Sequence, residues 1–145
     1  MPEQTFQYLE VKMAPNAAFP NGIVRYRPVL RTKIKYAGKT IPCVSLVDTG
    51  ADACMFPLDF GLVLGAVSVA GAHNSLGTSA GGDDLPVYYR EVTLEITGIG
   101  EWSVYAGFSA TLNRIAGGIL GQHGFFDHVR ARFDLPNRQF HVEKS

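Results

Sequence analysis

Apolar and polar residues alternate with a period of two through much of this chain, the signature of strands that bury one face. The clearest case is "RTKIKYAGKTIPCVSLV", Arg31 to Val47, where apolar and polar residues alternate roughly with period two on either side of Ala37-Gly38-Lys39. It reads as one long strand starting near Gly22, a turn at those three residues, and a returning strand. "TFQYLEVKM" near the N-terminus alternates well enough for a further strand. "GAVSVAGA", "LPVYYREVTLEITG" and "EWSVYAGFS" are rich in β-branched and aromatic residues and predict three more. The closing "VRARFDLPNRQFHVE" predicts two short strands about a Pro-Asn turn. Helical spacing is scarce. A short turn of helix fits "FPLDFGLVLG" after Pro57, and a short helix fits "GQHGFFDHV", with Phe125, Phe126 and Val129 on or near one face. The pattern predicts a mostly β protein with one or two short helices.

Composition narrows the function classes. The 145 residues suit one domain spanning 1–145, with 1–27 as an N-terminal extension or extra strand. Hydrophobic residues make up 46% and charged ones 18%, which is globular rather than disordered. Thirteen basic residues balance thirteen acidic ones, and without a basic cluster neither nucleic acid nor an anionic membrane is an expected partner. No apolar stretch is long enough to span a membrane, and "MPEQTFQYLE" lacks the features of a signal peptide. Cys43 and Cys54 lack CxxC spacing and read as free thiols in a reducing compartment. These features point to a cytoplasmic protein.

The candidate chemistry begins where an apolar run ends on a charge. "SLVDTGADACMFP" climbs through Leu46 and Val47 to Asp48, then turns at once through Thr49, Gly50 and Ala51 to a second carboxylate, Asp52. Burying an ionised carboxylate is costly unless it is paired or hydrogen-bonded, so the placement needs a reason. Other constellations are weaker. His123 and His128 flank Asp127, but residues five apart on a helix do not share a face, so no metal is expected. Gly98-Ile99-Gly100 and Gly117-Gly118 lack the Lys-Ser/Thr of a phosphate loop, and no Gly-x-Ser-x-Gly occurs. No cofactor is expected either. The aromatics Tyr88, Tyr89, Trp102, Phe125 and Phe126 build the core or line subsites.

Asp48-Thr49-Gly50-Ala51 after an apolar pair resembles the active-site signature of the aspartic proteases, and the extension to Asp52 is similar to their retroviral-type, retropepsin-like branch. The family's second signature, two apolar residues and a glycine, is matched by Ile119, Leu120 and Gly121 in "GGILGQHGFFDHV". The aromatic-rich helical turn and "VRARFD" that follow resemble bacterial members, and the likeness covers roughly Val29 to Val142. It implies a closed β-barrel of the acid-protease half type, active as a homodimer on a polypeptide substrate.

In that chemistry two carboxylates share one proton across a water; one accepts a proton as the water attacks, and the other donates to the carbonyl oxygen. The resemblance therefore makes Asp48 catalytic, with Thr49 and Gly50 shaping its loop. The chain holds one Asp-Thr/Ser-Gly, so a dyad needs two chains and a two-fold homodimer. Ala51 and Asp52 are implied substrate contacts. The glycine-rich stretch "AGAHNSLGTSAGGDDLP" is implied as a flap over the substrate, its tip within Gly77, Thr78, Ser79, Ala80, Gly81 and Gly82. One departure stands out: viral enzymes follow the second glycine with an arginine that pairs with the aspartate matching Asp52, and here Gln122 stands there unless Arg130 or Arg132 substitutes. The alternative reading is a catalytically silent peptide-binding or dimerisation module on the same fold.

Overall fold

The computed structural model describes residues 2–68, 86–115 and 117–145. Its elements in chain order are strands β1 (Gln4–Gln7), β2 (Leu9–Met13), β3 (Ile23–Arg27), β4 (Val29–Tyr36), β5 (Lys39–Val47) and β6 (Met55–Pro57), helix α1 (Leu58–Leu64), then β7 (Val87–Ile96), β8 (Gly100–Ser109), β9 (Gly118–Leu120), β10 (Val129–Asp134) and β11 (Gln139–Lys144). Six of them close into a barrel in the order β4-β5-β9-β6-β8-β7, with β7 returning to β4. A three-stranded sheet β1-β11-β10 and a β2–β3 hairpin stand outside it.

The period-two pattern sets the barrel interior. Leu30 and Ile34 of β4, Val47 of β5, Leu94 and Ile96 of β7, and Ala106 and Phe108 of β8 are all buried. Phe56 on the three-residue β6 is fully buried against Phe108, ring centroids 6.1 Å apart. Two polar residues share this interior. Thr32 and Ser45 are buried on facing strands, and their hydroxyls lie 2.8 Å apart, with Thr32 also donating to the Cys43 carbonyl at 3.1 Å. Pairing of this kind removes most of the cost of burying a hydroxyl. The three-stranded sheet has its own aromatic centre, where fully buried Phe140 meets Phe6, Tyr8 and Phe133.

Four expectations need correction. The long strand from Gly22 divides into β3 and β4 at Pro28, which has no N–H to donate to a ladder. "TFQYLEVKM" likewise divides at Tyr8, whose N–H leaves the strand for the Arg138 carbonyl, so that β1 pairs with β11 and β2 pairs with β3. The extension thus adds three strands, not one. "GQHGFFDHV" forms hydrogen-bonded turns rather than a helix. Gly124 at φ +103° lies outside helical space, and the N–H groups of Phe126 and Asp127 reach five residues back to Gly121 and Gln122. Phe125 and Val129 still enter the core. The helix after Pro57 forms as read, ending at Gly65 in the left-handed conformation with its N–H on the Leu62 carbonyl. Of "GAVSVAGA", Gly65 to Ser68 are not strand, and the remainder lies outside the described residues.

Candidate active site

Asp48 follows the last residue of β5, and the backbone around it is fixed from two directions. Its own N–H donates to the Leu120 carbonyl at 3.0 Å, extending the parallel β5–β9 ladder in which Ser45, Leu46 and Val47 face Gly118, Ile119 and Leu120. The chain then turns back: the Ala51 N–H reaches the Asp48 carbonyl at 3.2 Å, and the Gly50 N–H reaches the carboxylate Oδ1 at 2.9 Å. A backbone donor on an ionised acceptor is among the stronger hydrogen bonds, and this one pins the side chain over the turn. Asp48 is half-buried, while Thr49, Gly50 and Asp52 are exposed.

The second signature lies against this turn. Gln122 and His123 donate their N–H groups to the carbonyls of Ala51 and Asp52 at 2.8 and 2.9 Å, and Cys54 donates back to His123 at 3.1 Å. Such contact requires a residue without a side chain at 121. A Cβ on Gly121 would stand 2.5 Å from the Ala53 carbonyl oxygen and 2.7 Å from that of Ala51. The pairing of a strand-end Asp-Thr-Gly with an apolar-apolar-Gly strand is therefore a backbone fit. Behind it sits Cys54, fully buried, its thiol pushed up from the usual 9.0 to about 12 chiefly by that burial.

Strand register brings Leu46, Ile119 and Tyr89 together and adds Met55 and Gly107, which the sequence did not single out. Side chains of paired residues stand on the same face of a sheet. Leu46 pairs with Ile119, Ile119 with Met55, Met55 with Gly107, and Gly107 with Tyr89, so these five form one row across β5, β9, β6, β8 and β7. The row lies on the outside of the barrel, because Val47, Phe56, Phe108 and Leu120 beside it fill the inside. Asp48, two positions beyond Leu46, is at its edge. Leu46, Ile119, Met55 and Tyr89 are each half-buried, forming an apolar floor that runs away from the carboxylate.

The remaining candidates fall elsewhere. Gly77, Thr78, Ser79, Ala80, Gly81 and Gly82 lie outside the described residues. Arg130 and Arg132 are both on β10, where Arg132 Nη2 is held by Glu3 Oε1 at 2.8 Å. His128 stacks on Trp102 at 5.0 Å, and Trp102 Nε1 donates to the Gly124 carbonyl at 2.8 Å. Cys43 and Cys54 are free thiols. Among the described residues no helix is long and apolar enough to cross a membrane.

No protein-family sequence model and no curated protein sequence matches this chain. Among solved structures, the crystal structure of a retropepsin-like aspartic protease from Rickettsia conorii is similar over 98% of this chain and 95% of that one, with a TM-score of 0.59 and 14% sequence identity. The class that barrel and likeness define is the retropepsin-like fold, and this chain has it.

Proposed function

We propose that the chain is an aspartic-type endopeptidase that cleaves extended polypeptides as a homodimer, with one Asp48 from each protomer. The observation that carries this reading is the placement of Asp48. It sits at the open end of a parallel strand pair, its carboxylate oriented by the Gly50 N–H and, among the described residues, in no ion pair. A binding module has no physical need for such a carboxylate. Since one chain supplies one Asp-Thr-Gly, two-fold pairing brings the second, and the two carboxylates then face each other across one shared proton. A water between them loses a proton to one carboxylate as it attacks the peptide carbonyl, while the other donates to the developing oxyanion. Thr49, exposed in the single chain, reaches across to the partner's loop and fixes the pair. Substrate lies along the Leu46–Ile119–Met55 floor, meets the main chain at Ala51 and Asp52, and is covered by the stretch from Gly77 to Gly82.

The test is cleavage of a diverse peptide mixture across pH, with Asp48→Asn alongside. Replacing the carboxylate by a neutral amide of the same shape lowers turnover by several orders of magnitude and leaves the melting temperature close to that of the parent. Turnover of the variant within ~10-fold of the parent refutes the assignment.

A further inference from the structure

Tyr89 and Tyr105 form a stacked pair, ring centroids 5.3 Å apart and planes 18° from parallel. They are diagonal neighbours on β7 and β8, since Tyr89 pairs with Gly107 and Tyr105 with Glu91. Alternation along β8 turns Tyr105 outward, because Val104, Ala106 and Phe108 fill the interior. Tyr105 is 66% exposed, an unusual position for a large ring with a stacking partner already in place. Beside the pair the surface opens. The β4–β7 ladder stops at Lys35 and Thr93, and where the strands part there is a cleft of about 610 Å³ lined by Tyr36, Tyr89, Arg90 and Tyr105 among others. Arg90 is engaged within it, donating from Nη2 to the Tyr36 hydroxyl at 2.6 Å.

Two observations connect this platform with the candidate active site. Tyr89 is the last member of the outer row that starts at Leu46, so the floor beside Asp48 leads to the stack without a break. The Tyr89 phenol is also held above its ordinary range, mainly by burial and further by Tyr105 and the charge of Asp52, which places it within electrostatic reach of the loop after Asp48.

We propose that the Tyr89–Tyr105 pair is a distal subsite that takes an aromatic side chain of the polypeptide substrate. This rests on the endopeptidase reading. From Ile119 to Tyr89 the row crosses three strand spacings, roughly 14 Å at about 4.8 Å each, and an extended peptide covers that distance in about four residues. The aromatic ring therefore sits about four residues from the scissile bond, and the two-fold axis repeats the subsite on the other side. Flat, stacked phenol rings favour a third ring placed offset or edge-on, a geometry that aliphatic side chains do not exploit.

The experiment compares peptides identical but for Phe, Tyr, Leu, Lys or Ala four residues from the cleaved bond, using the full chain and its Tyr105→Ala and Tyr105→Phe variants. The parent favours the aromatic peptides over alanine by roughly 3- to 10-fold in kcat/KM, the range that an aromatic pair is worth. Tyr105→Ala erases that ratio, and Tyr105→Phe, which keeps the ring, retains it. A parent that cleaves without aromatic preference, that prefers Lys, or whose preference survives in Tyr105→Ala overturns the subsite and leaves the Asp48 reading intact. If the parent cleaves nothing, the endopeptidase reading fails. The subsite is then decided by binding of the same peptides to the full chain, and an affinity that Tyr105→Ala leaves unchanged overturns it.

Discussion

Gly121 is where the two signature segments touch, and Gly121→Ala adds one methyl group to that contact. The new Cβ would stand 2.5 Å from the Ala53 carbonyl oxygen and 2.7 Å from the Ala51 oxygen. Both neighbours are backbone atoms on opposite sides of one short loop, so no rotamer change can relieve them. Overpacking of this kind costs about 1–3 kcal/mol. The loop must also move away from Gln122, whose N–H bond to the Ala51 carbonyl is 2.8 Å long, and a lost hydrogen bond adds about 1 kcal/mol. The expected destabilisation is therefore about 2–4 kcal/mol, or a melting temperature lower by roughly 6–15 °C for a chain of this length. Gly38→Ala is the natural control. Its φ is +81° but no atom lies within 4 Å of the added Cβ, so only the left-handed strain of about 1–2 kcal/mol applies. Urea unfolding of the two variants and the parent measures both. The Asp48 loop moves with Ala51, so Gly121→Ala should also lose peptide cleavage beyond what its unfolded fraction explains. A Gly121→Ala protein within ~0.5 kcal/mol of the parent, or less destabilised than Gly38→Ala, would refute the backbone-fit argument.

The Cys54 thiol, raised from 9.0 to about 12, is protonated more firmly in the folded chain than in the unfolded one. Its contribution is complete below pH 9 and is lost as pH rises toward 12, so the parent should lose more stability between pH 8 and pH 10.5 than Cys54→Ala does. Equal losses in urea midpoints would remove Cys54 as the cause. Phe140→Ala empties the centre of the β1-β11-β10 sheet, where three rings meet a fully buried one, and should cost about 3–5 kcal/mol in chemical denaturation. A cost under ~1 kcal/mol would mean that this sheet contributes little to the fold.

Local signals in the sequence carried much of this structure. Alternation from Arg31 to Val47 located β4, β5 and the turn between them, because one face of each strand is buried and the other is not. Asp48-Thr49-Gly50 and Ile119-Leu120-Gly121 could be picked out separately, since each depends on residues adjacent in the chain. Their meeting could not be read as geometry: β9 is three residues long and enters the barrel between β5 and β6 through pairings of high sequence separation. The same holds for the Leu46-to-Tyr89 row, which exists only once the register is known. Gly124 was the missed local cue. An apolar spacing suggested a helix, but a glycine at φ +103°, with its N–H capped by Asp127 Oδ1 at 3.1 Å, makes a turn of it and still delivers Phe125 to the core.

The two-chain dyad is tested most directly by titrating parent protein with Asp48→Asn protein while measuring peptide cleavage, at a total concentration where sedimentation shows dimers. Random pairing with a roughly ninefold excess of variant leaves about one parent chain in ten with a parent partner. Activity per parent chain should then fall to about one-tenth, because mixed dimers carry a single ionisable carboxylate at the axis. Activity per parent chain that stays constant through the titration, despite subunit exchange, would contradict the shared Asp48 pair and place the second carboxylate within the same chain.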